Sequence, residues 1–230
     1  EWNKVMDMCV VCGGFMAEFL MKGIGNVGFS NPGELTVSGP LVERRLYLES
    51  EYGINTVESN SSIVDRNGIV ILAVKPQILP YVLSDLRGKI SDARSVASIV
   101  AGATSMTIRE GLSHNAVVRI MPNTPAQIGQ GMSVWYSTGD VADLDRSFIG
   151  KMLRTLGDEV YVEDEKFVDM ATALSASGPA YVFLFIESLV DAGVYLGMSR
   201  DMARRLVLQT VLGSTELVKQ SGRQIGRAHV

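Results

Sequence analysis

Cys9 to Leu20 read CVVCGGFMAEFL, and the residue types in this stretch allow two different chemistries. Cys9 and Cys12 form a C-x-x-C, the spacing of redox pairs and of metal half-sites. Gly13, Gly14 and Ala17 form most of a G-x-G-x-x-A loop, in which backbone N–H groups and a helix N-terminus meet a pyrophosphate. Cys12 occupies the place of its first glycine. A metal site needs two further ligands, and the only histidines are His114 and His229. A thioredoxin-like pair would place its first cysteine at an exposed helix N-terminus, whereas Cys9 falls inside an apolar run. The expectation is therefore two packed thiols, no metal, and a phosphate loop. A cysteine at the tight turn costs little if its φ is negative, and on the order of 1 kcal/mol or more if it is positive.

Other residues could complete a dinucleotide site. The next strand ends VSGP, so Ser38 and Gly39 stand where an NAD-preferring site carries a carboxylate for the ribose 2′-OH. Arg44 and Arg45 follow on the next helix. That combination suits a 2′-phosphate and points to NADPH, with a solvated helix face as the alternative. AVKPQ brings Lys75 to the end of a buried strand, where ligands bind in open α/β sheets. In RIMPNTPAQIGQG, two prolines fix a rigid turn beside Asn123 and Thr124, a shape suited to a nicotinamide ring or substrate, or simply a turn. The eleven methionines read as core packing. Glu187 and Asp191, four apart on one helix, read as a solvated face.

Holding these groups together requires a scaffold, and residues 8 to about 160 alternate between strand and helix patterns. MCVV is a short apolar run, followed by a helical stretch from about Phe15 to Ile24. GELTVSG reads as a strand ending in a turn, and PLVERRLYLESEYG as a helix closed by Gly53. GIVILAVKP is a continuous β-branched run, typical of a strand buried on both faces. QILPYVLSDLRGKI reads as a helix with an irregularity at Pro80. SVASIVAG and AVVRIMPN are two further buried strands, with SMTIREGL between them as a short helix. GMSVWYST is a strand, VADLDRSFIGKMLRTLG a helix and DEVYVE a last strand. This rhythm implies βαβ units and a parallel sheet covered on both faces.

From about Glu163 the pattern is helical only. EKFVDMATALSAS is one helix. SGPAYVFLFIESLVDAGVYLG is a second, with Pro179 in its first turn and Gly197 at its end. SRDMARRLVLQTVLGSTELVKQSG is a third, with Ser199 as N-cap. The expected domains are an α/β domain over 1–163 and a helical domain over 164–224.

Composition narrows the function classes. The chain has 230 residues, of which 47% are hydrophobic, enough for a sizeable core. A net charge of −4 leaves no basic excess to neutralise phosphates, which argues against nucleic acid. No apolar run reaches the roughly 18 residues of a membrane span, so no membrane association is expected. EWNKVMDM is too charged for a secretory signal, and two cysteines do not make a disulfide framework. The expected protein is soluble and cytoplasmic. Both ends look unnatural. The first residue is Glu1, and an upstream piece is expected to be missing. The last six residues, IGRAHV (225–230), are what the bases ATCGGAAGAGCACACGTC encode, the start of a common sequencing adapter. They are treated as a non-native tail.

GGFMAE, VERR, ILAVKPQ, VRIMPNTPAQIGQG and above all LSASGPAYVFLFIESLVDAGVYLGMSRDMARRLVLQTVLGS resemble the pyrroline-5-carboxylate reductase family over roughly residues 8 to 222. The resemblance implies an N-terminal Rossmann-like, doubly wound, mostly parallel sheet followed by an all-helical dimerisation domain, here incomplete. It implies hydride transfer from NADPH or NADH to the C=N carbon of 1-pyrroline-5-carboxylate, giving L-proline, and self-association through the helical domain. It places Gly13, Gly14, Phe15, Met16 and Ala17 at the pyrophosphate, and Ser38 and Asn60 on the adenosine side. Ala73, Val74 and Lys75 would run along the cofactor, Ala101 and Gly102 would line its nicotinamide end, and Asn123 would lie nearby. The helix from Ser177, Gly178 and Pro179 would help form the dimer core.

The sequence departs from the family at Cys12, where glycine is usual, and at Phe15, which is often polar. The family also continues beyond KQSGR into a segment reading approximately S-P-G-G-T-T, which serves the substrate carboxylate and imine nitrogen. The catalytic residues are expected to lie there, past the end of this chain, leaving it weakly active or inactive. The rival readings are another two-domain NADP-dependent dehydrogenase of the 3-hydroxyacid type, for which only Lys166 and Lys219 offer a lysine after residue 163, and a non-catalytic nucleotide-binding protein.

Overall fold

Runs such as IVIL and VVRIM carry apolar residues on both sides of a strand, so they are stable only when both faces are covered. The computed structural model, which describes residues 8–12, 14, 17, 18, 21, 32–63, 68–90 and 92–221, covers them in this way. Eight strands form one sheet: β1 (Met8–Val11), β2 (Leu35–Ser38), β3 (Asn55–Val57), β4 (Ile69–Leu72), β5 (Ser95–Ser98), β6 (Val117–Met121), β7 (Gly131–Ser137) and β8 (Gly157–Tyr161). Their order is β3-β2-β1-β4-β5-β6-β7-β8. Every neighbouring pair is parallel except β6 and β7.

Side chains alternate between the two faces along each strand. Met8 and Val10 enter one apolar cluster with Ile69, Ile71, Leu48 and Ile149. Cys9 and Val11 enter another with Val70, Leu72, Val82 and Ile108. Helices α1 (Val42–Tyr52) and α4 (Asp143–Arg154) supply the first cluster; α2 (Leu79–Leu86) and α3 (Ser105–Leu112) supply the second. Each fully buried Leu or Ile contributes about 1.5–3 kcal/mol, so both faces are held mainly by apolar burial. Cys9 belongs to this core; its thiol donates to the Ile63 carbonyl at 3.2 Å, and neither cysteine forms a disulfide.

Gly53 closes α1 in the left-handed conformation, its N–H donating to Glu49 O, as the sequence indicates. Other elements differ from expectation. Helix α2 begins only at Leu79, so Pro80 sits in its first turn, where a missing N–H costs nothing. The edge strand β3 is not evident in the sequence, because Asn55 is exposed and only three residues pair, on one side. The expected helix over EKFVDMATALSAS divides into α5 (Lys166–Ala171) and a π-helical turn, Thr172–Ala176.

The chain forms two compact units, Glu1–Ser177 and Gly178–Val230. The pattern changes class near residue 163, but α5 packs on β6 and β7 and so belongs by packing to the first unit. The second unit holds α6 (Gly178–Tyr195) and α7 (Arg200–Ser221). These helices approach closely at Gly193, where an added Cβ would lie 2.8 Å from that of Ala203. Ser199 caps α7, accepting from the Met202 N–H. Glu187 and Asp191 both accept from Arg200, at 3.1 and 2.7 Å. Tyr181, Phe183, Leu184, Phe185 and Leu189 of α6 are exposed within the single chain. Glu187 and Asp191 interrupt this apolar surface, yet an 18-residue stretch within Lys166–Tyr195 reaches a mean hydropathy of 1.4, enough by length and composition to cross a membrane.

Candidate active site

In an open parallel sheet, ligands bind outside the carboxyl ends of the strands where the strand order reverses. Here that point lies between β1, which leads to β2, and β4, which starts the other half. Val11 pairs with Ser38 on one side and Leu72 on the other, so the ends of these three strands are flush. The Ala73 N–H donates to Val11 O and the Ile99 N–H to Leu72 O, both at 3.1 Å, and the Gly39 N–H donates to Val57 O at 2.9 Å. Ser38 therefore ends β2, and Gly14, Asn60, Ala73, Val74, Lys75, Ala101 and Gly102 follow strand ends at the same sheet edge. Gly13, Phe15 and Met16 lie outside the described residues. Ala17 is helical and buried in the first cluster, as helix–sheet packing of such a loop requires.

Ser38 is fully buried. Its hydroxyl donates to Asn60 Oδ1 at 2.7 Å and accepts from the Cys12 N–H at 3.4 Å. This hydrogen-bonded chain joins the ends of β1 and β2 to the turn after β3. Ser38 and Asn60 thus anchor the chain at Cys12, where it leaves β1. Lys75, Ala101 and Gly102 are exposed, Ala73 is half-buried and Val74 is buried. Asn123 is 8% exposed, and both ends of its carboxamide are engaged: Nδ2 donates to Ser175 O at 3.0 Å and Oδ1 accepts from the Met132 N–H at 2.9 Å. It clamps the β6–β7 connection to the π-helical turn.

Cys12 has φ +77°, the left-handed region in which any residue with a Cβ is strained. The position thus has the conformation for which glycine is suited. Relief of strain in Cys12→Gly, about 1–2 kcal/mol, is largely offset by the greater chain entropy of glycine, about 0.5–1 kcal/mol. Cys12→Gly should therefore equal or slightly exceed the parent in stability. Cys12→Val, β-branched at positive φ, should be about 1–2 kcal/mol less stable. Urea unfolding checks this; a valine variant as stable as the parent would show that the turn is not strained.

Two clusters escape the sequence analysis. In the first, Glu18, 8% exposed, accepts from Arg44 at 2.6 Å, Tyr52 at 2.5 Å and Tyr47 at 3.3 Å. Burial, and then the hydrogen bond to Glu18, push the Tyr52 hydroxyl well above its ordinary value. Arg44 is thus committed to Glu18, whereas Arg45 Nη1 donates to Gly39 O at 2.7 Å, bringing its guanidinium to the end of β2. In the second, Arg119 of β6, 3% exposed, donates to Glu165 at 2.7 Å and to Asp169 at 2.8 Å. Glu165 also accepts from the Ser105 N–H at 2.6 Å and its hydroxyl at 2.5 Å. Burial alone would raise the Glu165 pKa; the Ser105 and Arg119 hydrogen bonds outweigh it and hold the carboxyl below its ordinary value.

The donor set fits an NADP-type dinucleotide. No carboxylate ends β2, Arg45 lies there instead, and the backbone around Gly102 is open, with nothing within 4 Å of an added Cβ. Comparison with known proteins agrees. The family model described as pyrroline-5-carboxylate reductase dimerisation matches residues 165–228, and that described as NADP oxidoreductase coenzyme F420-dependent matches residues 7–102. The pyrroline-5-carboxylate reductase of Pisum sativum is 35% identical over 93% of this chain and 78% of its own length. That of Synechocystis is 36% identical over 94% and 80%. Among solved structures, the Plasmodium falciparum pyrroline carboxylate reductase with NADP bound is 34% identical, with a TM-score of 0.86 over 96% of this chain and 82% of that one. The Coxiella burnetii pyrroline-5-carboxylate reductase is 27% identical, with a TM-score of 0.88 over 97% and 83%.

Proposed function

The chain belongs to the pyrroline-5-carboxylate reductase family, and from that premise we propose that it reduces 1-pyrroline-5-carboxylate to L-proline with NADPH, the last step of proline biosynthesis. The observation that carries the reading is the carboxyl edge itself: a phosphate loop at the strand-order reversal, with Arg45 rather than a carboxylate at the end of β2. When bound there, NADPH supplies the hydride. The backbone about Gly14 and the helix carrying Ala17 would meet its pyrophosphate, with Ser38 and Asn60 anchoring the chain at Cys12. Ala73 to Lys75 would run along the cofactor, and Ala101 and Gly102 would line its nicotinamide end. A protonated cyclic imine is already a strong electrophile, so the residues around it need mainly to orient two rings and exclude water. The 3-hydroxyacid dehydrogenase alternative is not favoured by the comparisons. Oxidation of NADPH followed with the imine as substrate tests the reading: turnover supports it, and a folded chain that binds no NADPH would overturn it.

Arg45→Ala is expected to weaken NADPH about tenfold, the scale of one charge-assisted hydrogen bond, and to leave NADH affinity unchanged. Equal loss of both would remove Arg45 from the 2′-phosphate. Self-association through the exposed apolar residues of α6 fits the dimerisation family match, and residence in a reducing cytoplasm fits two cysteines outside any disulfide.

A further inference from the structure

We propose that Glu165 is a positioning residue for the nicotinamide half of the cofactor, acting through the N-terminus of α3. The inference rests on the cofactor reading above. The loop from Ile99 to Thr104 follows β5, on the half of the sheet opposite the phosphate loop's β1–β2 side. A dinucleotide that crosses the strand-order reversal therefore brings its nicotinamide to this loop. The loop's exposed tip is Ala101 and Gly102, and its own hydrogen bonds are long: the Val100 N–H reaches Ser98 Oγ at 3.2 Å and the Ala103 N–H reaches Val100 O at 3.4 Å.

Its far end is held differently. Thr104 caps α3, accepting from the Thr107 N–H at 3.1 Å. The next residue, Ser105, gives both its N–H and its hydroxyl to one carboxylate, that of Glu165, at 2.6 and 2.5 Å. Glu165 is kept in place by Arg119 at 2.7 Å, and Arg119 by Asp169 at 2.8 Å. Four charge-assisted contacts thus fix the point from which the loop springs. Glu165 is also the first residue matched by the dimerisation family model, yet its carboxylate is spent on the dinucleotide-binding unit. A shift of the loop's anchor would misplace the tip relative to the nicotinamide without touching the adenosine side, which lies across the sheet at Ser38, Asn60 and Arg45.

The full chain and its Glu165→Ala, Glu165→Asp and Ser105→Ala variants are titrated by fluorescence with NADPH and with 2′,5′-ADP, which carries the adenosine half alone. NADPH is expected to bind about tenfold more weakly to Glu165→Ala and a few-fold more weakly to Ser105→Ala, with Glu165→Asp closer to the parent and 2′,5′-ADP unchanged throughout. Equal weakening of both probes would mean that Glu165 merely holds the unit together, and no change in either would mean that the loop does not depend on it; each overturns the proposal. If Glu165→Ala does not fold, Ser105→Ala, which removes a single hydroxyl, carries the same comparison. A parent chain that is folded yet binds no NADPH overturns the functional reading itself and the proposal with it, a failure separable from the other two.

Discussion

Arg119→Ala is expected to destabilise the first unit by about 3 kcal/mol or more, the range for removing one partner from a buried ion pair. Arg119 lies in the middle of β6, paired with Ser98 on one side and Tyr136 on the other, and its side chain is 4% exposed. Removing it leaves Glu165, with 24% side-chain exposure, facing Asp169 without the cation between them, and takes the apolar stem of the arginine out of the packing. Asp169 is half exposed and can recover hydration, which keeps the expected cost at the low end of the range. Arg119→Lys should fall between, because one ammonium cannot serve two carboxylates in the forked geometry of a guanidinium. Arg119→Met combined with Glu165→Gln and Asp169→Asn should recover part of the loss, since the cost lies in the stranded charges more than in the missing pair. Urea unfolding followed by Trp135 fluorescence measures each. An alanine variant within 1 kcal/mol of the parent would show the network to be energetically idle.

That same arginine shows where the sequence was readable and where it was not. Strands β1, β4, β5 and β6 stand out because a parallel strand buried on both faces needs an unbroken apolar run, and MCVV, IVIL, SVAS and VVRIM come close to that pattern. β3 escapes because NTV at a sheet edge is asked for little burial. Gly53 and Ser199 were legible because each cap depends on one residue type at one position. Cys12 was legible only in part: the loop marked it as a place where glycine is usual but left the sign of φ open, and φ is +77° there.

The brackets around the site depend instead on pairs far apart in the chain. Glu165 and Asp169 lie 46 and 50 residues beyond Arg119, Arg44 lies 26 beyond Glu18, and Ser175 lies 52 beyond Asn123. No local spacing announces such pairs. One signal was present: a lone arginine inside VVRIM, a strand with both faces covered, must have found an anion, because an unpaired buried charge is too costly to keep. The pattern tells that a partner exists; only the fold tells which.

The other large effect is expected at a position with no side chain. Gly157 opens β8 with φ +140° and lies opposite Gly131, the first residue of β7. A Cβ there would sit 2.1 Å from Gly131 O and 2.4 Å from Gly131 N. Both are backbone atoms, so no rotamer change can relieve the contact. Gly131 cannot retreat either: its N–H is bound to Leu156 O at 2.8 Å, and its own α-carbon faces Ala126 so closely that an added Cβ would meet that residue at 2.9 Å. Gly157→Ala must therefore separate the two strands at their first pair or distort the turn before β8. Strain at this φ, about 1–3 kcal/mol, adds to overpacking of about 1–3 kcal/mol, a sum comparable to a large part of the 5–15 kcal/mol that holds a typical domain folded. Gly139→Ala is the control, because nothing lies within 4 Å of its added Cβ and its φ is not positive; it should stay within about 0.5 kcal/mol of the parent. Thermal unfolding of the two variants side by side decides the matter. Equal melting temperatures for Gly157→Ala and Gly139→Ala would mean that the β7–β8 start yields freely, and that the close backbone approach there does not constrain the fold.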